Sequence, residues 1–116
     1  MTVAVARYSF GDVLLVPFPF SNQAGAKQRP AVIVSSNAYN TSRTDLIILA
    51  LTSQLRQPPG FGDSLLVDWK SAGLLRASVF KPVLTALEQK LVIRILGALL
   101  PEDLAVLRTV LQQVIG

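Results

Sequence analysis

The chain contains no cysteine and no histidine. Without cysteine there are no disulfides, no thiolate nucleophile and no cysteine-ligated zinc. Without histidine, any catalysis must proceed without the side chain that usually moves protons near neutral pH. That excludes both a two-histidine ribonuclease mechanism and a serine–histidine triad. Acidic residues are scarce: 7 Asp and Glu stand against 11 Lys and Arg, giving a net charge of +4 and a pI near 10.0. This balance favours polyanionic or acidic partners. Asp12, Pro17 and Arg94 cut the longest apolar runs well short of the ~20 residues a transmembrane helix requires, so no membrane association is expected. Residues 1 to 9 lack a basic region leading into an apolar one. A cleaved signal peptide is therefore not expected, and the cytoplasm is the expected location.

What is present is apolar. Hydrophobic residues make up 51% of the 116 residues and the mean hydropathy is +0.48. That length fits a single domain over residues 1–116 with room for one core, and more apolar surface than such a core hides points to a homodimer. Val13-Leu14-Leu15-Val16 reads as a first strand, stopped by Pro17-Phe18-Pro19-Phe20. The small, polar, glycine-bearing stretch from Ser21 to Lys27 reads as a loop or flap. Pro30 to Ser36 and Leu46 to Leu51 are short and rich in Val, Ile and Leu, the pattern of buried strands. Leu55 to Asp63 carries two prolines and two glycines and reads as a loop. Ser64 to Trp69, Ala77 to Pro82 and Leu91 to Leu99 supply further strands. From Pro101 the spacing turns helical at Leu104, Leu107, Leu111 and Val114. Pro101 suits the first turn, and Glu102 and Asp103 suit the positive helix end. The expected fold is mostly β: a small, twisted, partly closed antiparallel barrel packed by a C-terminal helix.

The chemistry concentrates at two strand ends. Arg29, before Pro30, stands where a loop enters an apolar strand, and its planar fork can bind two phosphate oxygens at once. Leu51-Thr52-Ser53-Gln54 closes the next strand with hydroxyls able to donate to phosphate. Neighbouring strands lie only about 4.8 Å apart, so the two ends can converge on one anion. Lys27, Arg43, Arg56, Arg76 and Lys81 fall on predicted loops or edges, where cations suit an RNA backbone. A competing set is Asp63 with Asp68-Trp69-Lys70, which loosely imitates the carboxylate pair and lysine of metal-dependent nucleases. Its spacing is short, and Asp68 and Lys70 read better as outward positions flanking a core Trp69.

Gly11-Asp12-Val13, Gln28-Arg29-Pro30-Ala31-Val32-Ile33-Val34-Ser35, Leu51-Thr52-Ser53-Gln54 and Gly73-Leu74-Leu75 with Ser78 together resemble the MazF/PemK family of toxin endoribonucleases, from about Phe10 to the C-terminus. The resemblance implies an SH3-like barrel of the MazF/CcdB/PemK type. It implies metal-independent cleavage of single-stranded RNA by attack of the ribose 2′-hydroxyl, leaving 2′,3′-cyclic phosphate and 5′-hydroxyl ends, with no metal or cofactor. It also implies a homodimer silenced by an acidic antitoxin. Arg29 and Thr52 take the catalytic positions; Ser53, Gln54 and Ser78, with Lys27 and Arg56, take substrate-binding ones.

The chain departs from its relatives in two places. Several carry an acidic residue in the loop before the Arg-Pro pair, where this chain has Ser21, Asn22, Gln23 and Lys27; others use an Arg and an Asp where it has Ser78, Val79 and Phe80. Two alternatives stay open: a CcdB-like toxin directed at a protein such as a topoisomerase, and a catalytically decayed module that binds RNA or antitoxin. Specificity would lie in the loops Ser21 to Lys27 and Leu55 to Asp63.

Overall fold

The computed structural model describes residues 7–18, 27–55 and 58–116. Its strands are β1 (Asp12–Phe18), β2 (Lys27–Ile33), β3 (Asp45–Thr52), β4 (Ser64–Leu65), β5 (Val79–Glu88) and β6 (Arg94–Ala98). Its helices are α1 (Asn37–Ser42) and α2 (Pro101–Ile115). The strands form one antiparallel sheet in the order β4-β5-β3-β2-β1-β6.

Alternation along the central strands sends side chains to both faces, and both faces are dry. Val13, Val32 and Leu49 occupy one register row, Leu14 and Ala31 the next, and all five are 0% exposed. The expectation of one core gives way to two buried clusters. One lies between the sheet and α2, where Leu107 and Val110 meet Val13, Val32, Leu49 and Phe80. The other is enclosed by the curl of the sheet: Leu87, Val83 and Val92 close over Leu14, Ala31, Ile33 and Ile48, with Tyr8 at the margin. Sheet closure on one side and a helix on the other turns the near-continuous apolar strands into a half-barrel.

Several boundaries differ from the sequence reading for local reasons. β2 ends at Ile33 because Ser36 caps a helix of 6 residues, its hydroxyl accepting the Tyr39 N–H at 3.2 Å. Behind that cap, the Asn40 side chain donates to the Tyr8 and Ser35 carbonyls. β5 runs through Pro82 to Glu88, and its pairing with β3 shifts between Leu49 and Leu51. A bulge there accommodates a residue that has no N–H to offer the ladder. Only Ser64–Leu65 of the predicted fourth strand pairs. Asp103 then captures the chain, its carboxylate accepting the Val67 N–H at 2.7 Å and the Asp68 N–H at 2.8 Å. The segment turns, leaving Trp69 half-buried against the core. Leu91 to Leu99 divides into a 3-10 turn over Gln89–Leu91 and then β6. The helix matches the prediction, with Pro101 in its first turn. The predicted flap lies outside the described residues apart from Lys27. No helix among the described residues is long and apolar enough to cross a membrane.

Two stability predictions arise here. Asp103 is fully buried, so Asp103→Ala strands two N–H groups and should lower the unfolding free energy by about 3 kcal/mol or more. Asp103→Asn keeps one acceptor and should cost about half as much, both measured by urea denaturation. At the start of β3, the Arg43 Nε–H donates to Asp45 at 2.9 Å and the Tyr39 hydroxyl donates to it at 2.8 Å. The Arg43 bond first, and the Tyr39 bond second, hold the Asp45 carboxyl below the usual aspartate range. The stabilisation is complete above the ordinary aspartate value of about 3.9 and disappears as pH falls through the lowered one. Urea midpoints at neutral pH and near pH 3 should therefore converge for wild type and Asp45→Asn as the solution is acidified.

Candidate functional site

Pro30 has no N–H, and the β2–β3 ladder begins only at Ala31, opposite Ala50. Beyond that pair the strands part. Continued by two residues, the same register sets Arg29 opposite Thr52. A cleft of about 400 Å³ opens at this place, lined by both residues together with Ser53 and Ser78. Its floor is apolar, built from Leu15, Pro30, Leu51 and Leu74, which strengthens any charge interaction made above it.

Each candidate has a distinct setting. Arg29 is half-buried on β2, paired with Val16 of β1. Thr52 ends β3, half-buried, and its Oγ1 accepts the Gln54 N–H at 3.1 Å. That contact occupies a lone pair and leaves the hydroxyl proton for another acceptor. Ser53 is exposed at the rim. Ser78 is buried, and its hydroxyl donates to the Arg76 carbonyl at 2.9 Å. This fixes the turn that carries Arg76. Gln54 and Lys27 are exposed and do not line the cleft. Arg56 lies outside the described residues. Arg43 is committed to Asp45 and to the Tyr39 ring, and Lys81 is half-buried away from the lining.

Two lining residues escaped the sequence reading of the site. Arg76, read only as a general cation, and Arg94, read only as a break in an apolar run, both face the cleft. Arg76 supplies a second guanidinium where the sequence pattern offered only Ser78, Val79 and Phe80. A lone arginine between Ile93 and Ile95 was the available signal for Arg94. None of the chain's 7 acidic residues lines the cleft, so its formal charges are all positive.

The competing carboxylates serve turns. Asp63 accepts the Gly60 N–H at 2.7 Å and Asp68 accepts the Ser71 N–H at 3.3 Å, while Lys70 stacks 5.5 Å from the Trp69 ring centre. Among the described residues no cluster of 3 or more acidic side chains could hold a metal ion.

Gly73 shapes the far wall. Its φ of +86° suits glycine alone, and a Cβ there would meet the Leu96 carbonyl oxygen at 2.0 Å. Ala72 and Gly73 thus lie directly on the Leu96–Gly97 backbone of β6, seating the 73–78 segment against the strand that carries Arg94. Gly73→Ala should cost about 2 kcal/mol or more through strain and displacement, read as a lowered thermal midpoint.

Over residues 9–115 the chain matches the family model for the PemK-like, MazF-like toxin of type II toxin–antitoxin systems. Among solved structures it is similar to an endoribonuclease in complex with its cognate antitoxin from a mycobacterial species, with TM-score 0.68 and 21% identity, covering 93% of this chain and 92% of that one. The Mycobacterium tuberculosis toxin MazF-mt6 gives 0.70 at 17% identity, covering 89% and 94%. A MazE–MazF crystal structure from Deinococcus radiodurans gives 0.63 at 22%, covering 94% and 92%. At these identities the structural likeness establishes the fold. The search of curated proteins gave no match.

Proposed function

The chain belongs to the PemK-like, MazF-like toxins of type II toxin–antitoxin systems, and from that premise we propose that it is a metal-independent, sequence-selective endoribonuclease acting on single-stranded RNA. The observation that carries this reading is that Arg29 and Thr52, at the ends of neighbouring strands, line one cleft charged only by arginine.

In this mechanism the scissile phosphate sits between the two strand ends. The ribose 2′-oxygen attacks the adjacent phosphorus and the bond to the 5′-oxygen breaks, leaving a 2′,3′-cyclic phosphate and a 5′-hydroxyl. Arg29 grips the non-bridging oxygens with its fork, and Thr52 donates its hydroxyl proton to the same phosphate. Both contacts strengthen as charge builds on the phosphorane, over an apolar floor. Arginine holds its proton at any working pH, so its part is electrostatic. The 2′ proton passes to water, and water protonates the departing 5′-oxygen. The substrate brings its own nucleophile, which is why a site without histidine or carboxylate suffices.

The same reading makes the protein a single domain and a cytoplasmic homodimer, held inactive by an acidic antitoxin segment that competes with RNA for the cationic cleft. The dimer is supported by exposed apolar side chains at the sheet margin, Leu91 and Ile93 just before β6 and Ile95 on it.

The test is incubation of the purified protein with a long single-stranded RNA in excess EDTA, beside Arg29→Ala and Thr52→Ala, with the product ends mapped. Wild type should give discrete cuts bearing 5′-hydroxyls, and Arg29→Ala should lose about 10²-fold or more in rate. Intact RNA with wild type would sink the nuclease reading in favour of a protein-directed toxin or a decayed module. Cutting only after Mg²⁺ is added would sink its metal independence.

A further inference from the structure

We propose that Arg94 forms a second phosphate subsite, gripping an RNA backbone phosphate next to the one held by Arg29; this rests on the RNA-cleaving reading above. Three observations converge on it. The first is placement. Leu15 of β1 pairs with Pro30 of β2 on one side and with Arg94 of β6 on the other. β2 and β6 are therefore separated by β1, about 10 Å apart at the backbone. Across the sheet the order runs from Ser78, before β5, through Thr52 on β3, Arg29 on β2 and Leu15 on β1 to Arg94 on β6. All five line one cleft; by these registers Arg94 shares the face of Leu15 and Pro30, whereas Arg29 shares that of Val16.

The second is stoichiometry. A phosphodiester has two non-bridging oxygens, and one arginine fork can engage both. Arg29, Arg76 and Arg94 bring 3 such forks to the lining, where one fork already serves both non-bridging oxygens of a phosphate. The third is charge. The one ion pair among the described residues is Arg43 with Asp45, and no acidic side chain lines the cleft. Arg94 is an exposed cation between two exposed isoleucines on an edge strand, and its nearby formal charges in the cleft are of its own sign. A polyanion that spans Leu15 relieves that repulsion; an isolated phosphate at Arg29 does not. Arg94 acts as a positioning residue, setting the strand in the cleft through a phosphate that does not react.

The experiment measures binding, so it does not depend on turnover. Wild type, Arg94→Ala and Arg94→Lys are titrated at several salt concentrations with a single-stranded RNA of about ten nucleotides, whose sugars are 2′-O-methylated to prevent cleavage. A dinucleoside monophosphate with the same modification supplies one phosphate only. Arg94→Ala should weaken oligomer binding about tenfold at low salt and reduce the slope of log K against log salt by about 0.7, with the single-phosphate ligand unaffected. Arg94→Lys should keep the slope while losing part of the affinity. An unchanged slope for Arg94→Ala, or an equal loss on the single-phosphate ligand, overturns the subsite while leaving the nuclease reading intact. Failure of wild type to bind either ligand overturns both. A circular dichroism melt of Arg94→Ala within a few degrees of wild type accompanies the titration, since the residue is exposed and its loss should leave the fold unchanged.

Discussion

The register of β2 between β1 and β3 is the constraint from which the rest of this structure follows. Three pairs, Ala31 with Ala50, Val32 with Leu49 and Ile33 with Ile48, lock β2 to β3, while a longer ladder locks it to β1. A slip of one residue would reverse the face of every side chain on the strand. Because both faces are apolar here, polarity alone does not forbid such a slip. The ends of the strand do: Gly11 donates its N–H to the Ile33 carbonyl at 2.9 Å, and the Ser36 cap begins a helix three residues later. Pro30 then ends the pairing with β3, while Arg29 stays paired with Val16 of β1 and lines the cleft.

The cleft gathers guanidinium and hydroxyl groups in a chain that has neither histidine nor cysteine. Guanidinium groups do not titrate in the working range, so they offer fixed charge and directed N–H donors in place of acid–base exchange. Fixed charge is effective only where reorganisation is small. Accordingly, the groups sit on or beside strands, and the turn bearing Arg76 is tied by the Ser78 hydroxyl. Thr52 is oriented by the N–H of Gln54, which gives Gln54 a backbone role at a residue whose side chain stays outside the cleft.

The cleft also depends on elements distant in sequence. Asp103 in the first turn of α2 holds Val67 and Asp68 by their N–H groups, which anchors the segment leading to Gly73. Gly73 and Gly97 then allow that segment to lie against β6 with no side chain between them. The 73–78 segment and the edge strand thereby line the cleft together with the ends of β2 and β3. The buried Asp103 carboxylate thus holds backbone, one oxygen for each of the two N–H groups.

The sequence by itself determined the fold class, the C-terminal helix and the family, because these rest on local signals: runs of β-branched residues, helical spacing after Pro101, and the Arg-Pro and Thr-Ser motifs. The Arg29 and Thr52 positions were legible for the same reason, each marking the end of a predicted strand. Only the tertiary structure decided that Arg94 joins them, since a charge in an apolar strand has no address until pairing with β1 gives it one. It also decided that Ser78 clamps a turn, that Asp103 is a buried acceptor, and that the sheet hides two cores where the length argued for one. Each of these depends on contacts between residues far apart in the chain. Local pattern fixes which residues are apolar or polar, while sheet register and curl decide what each of them meets.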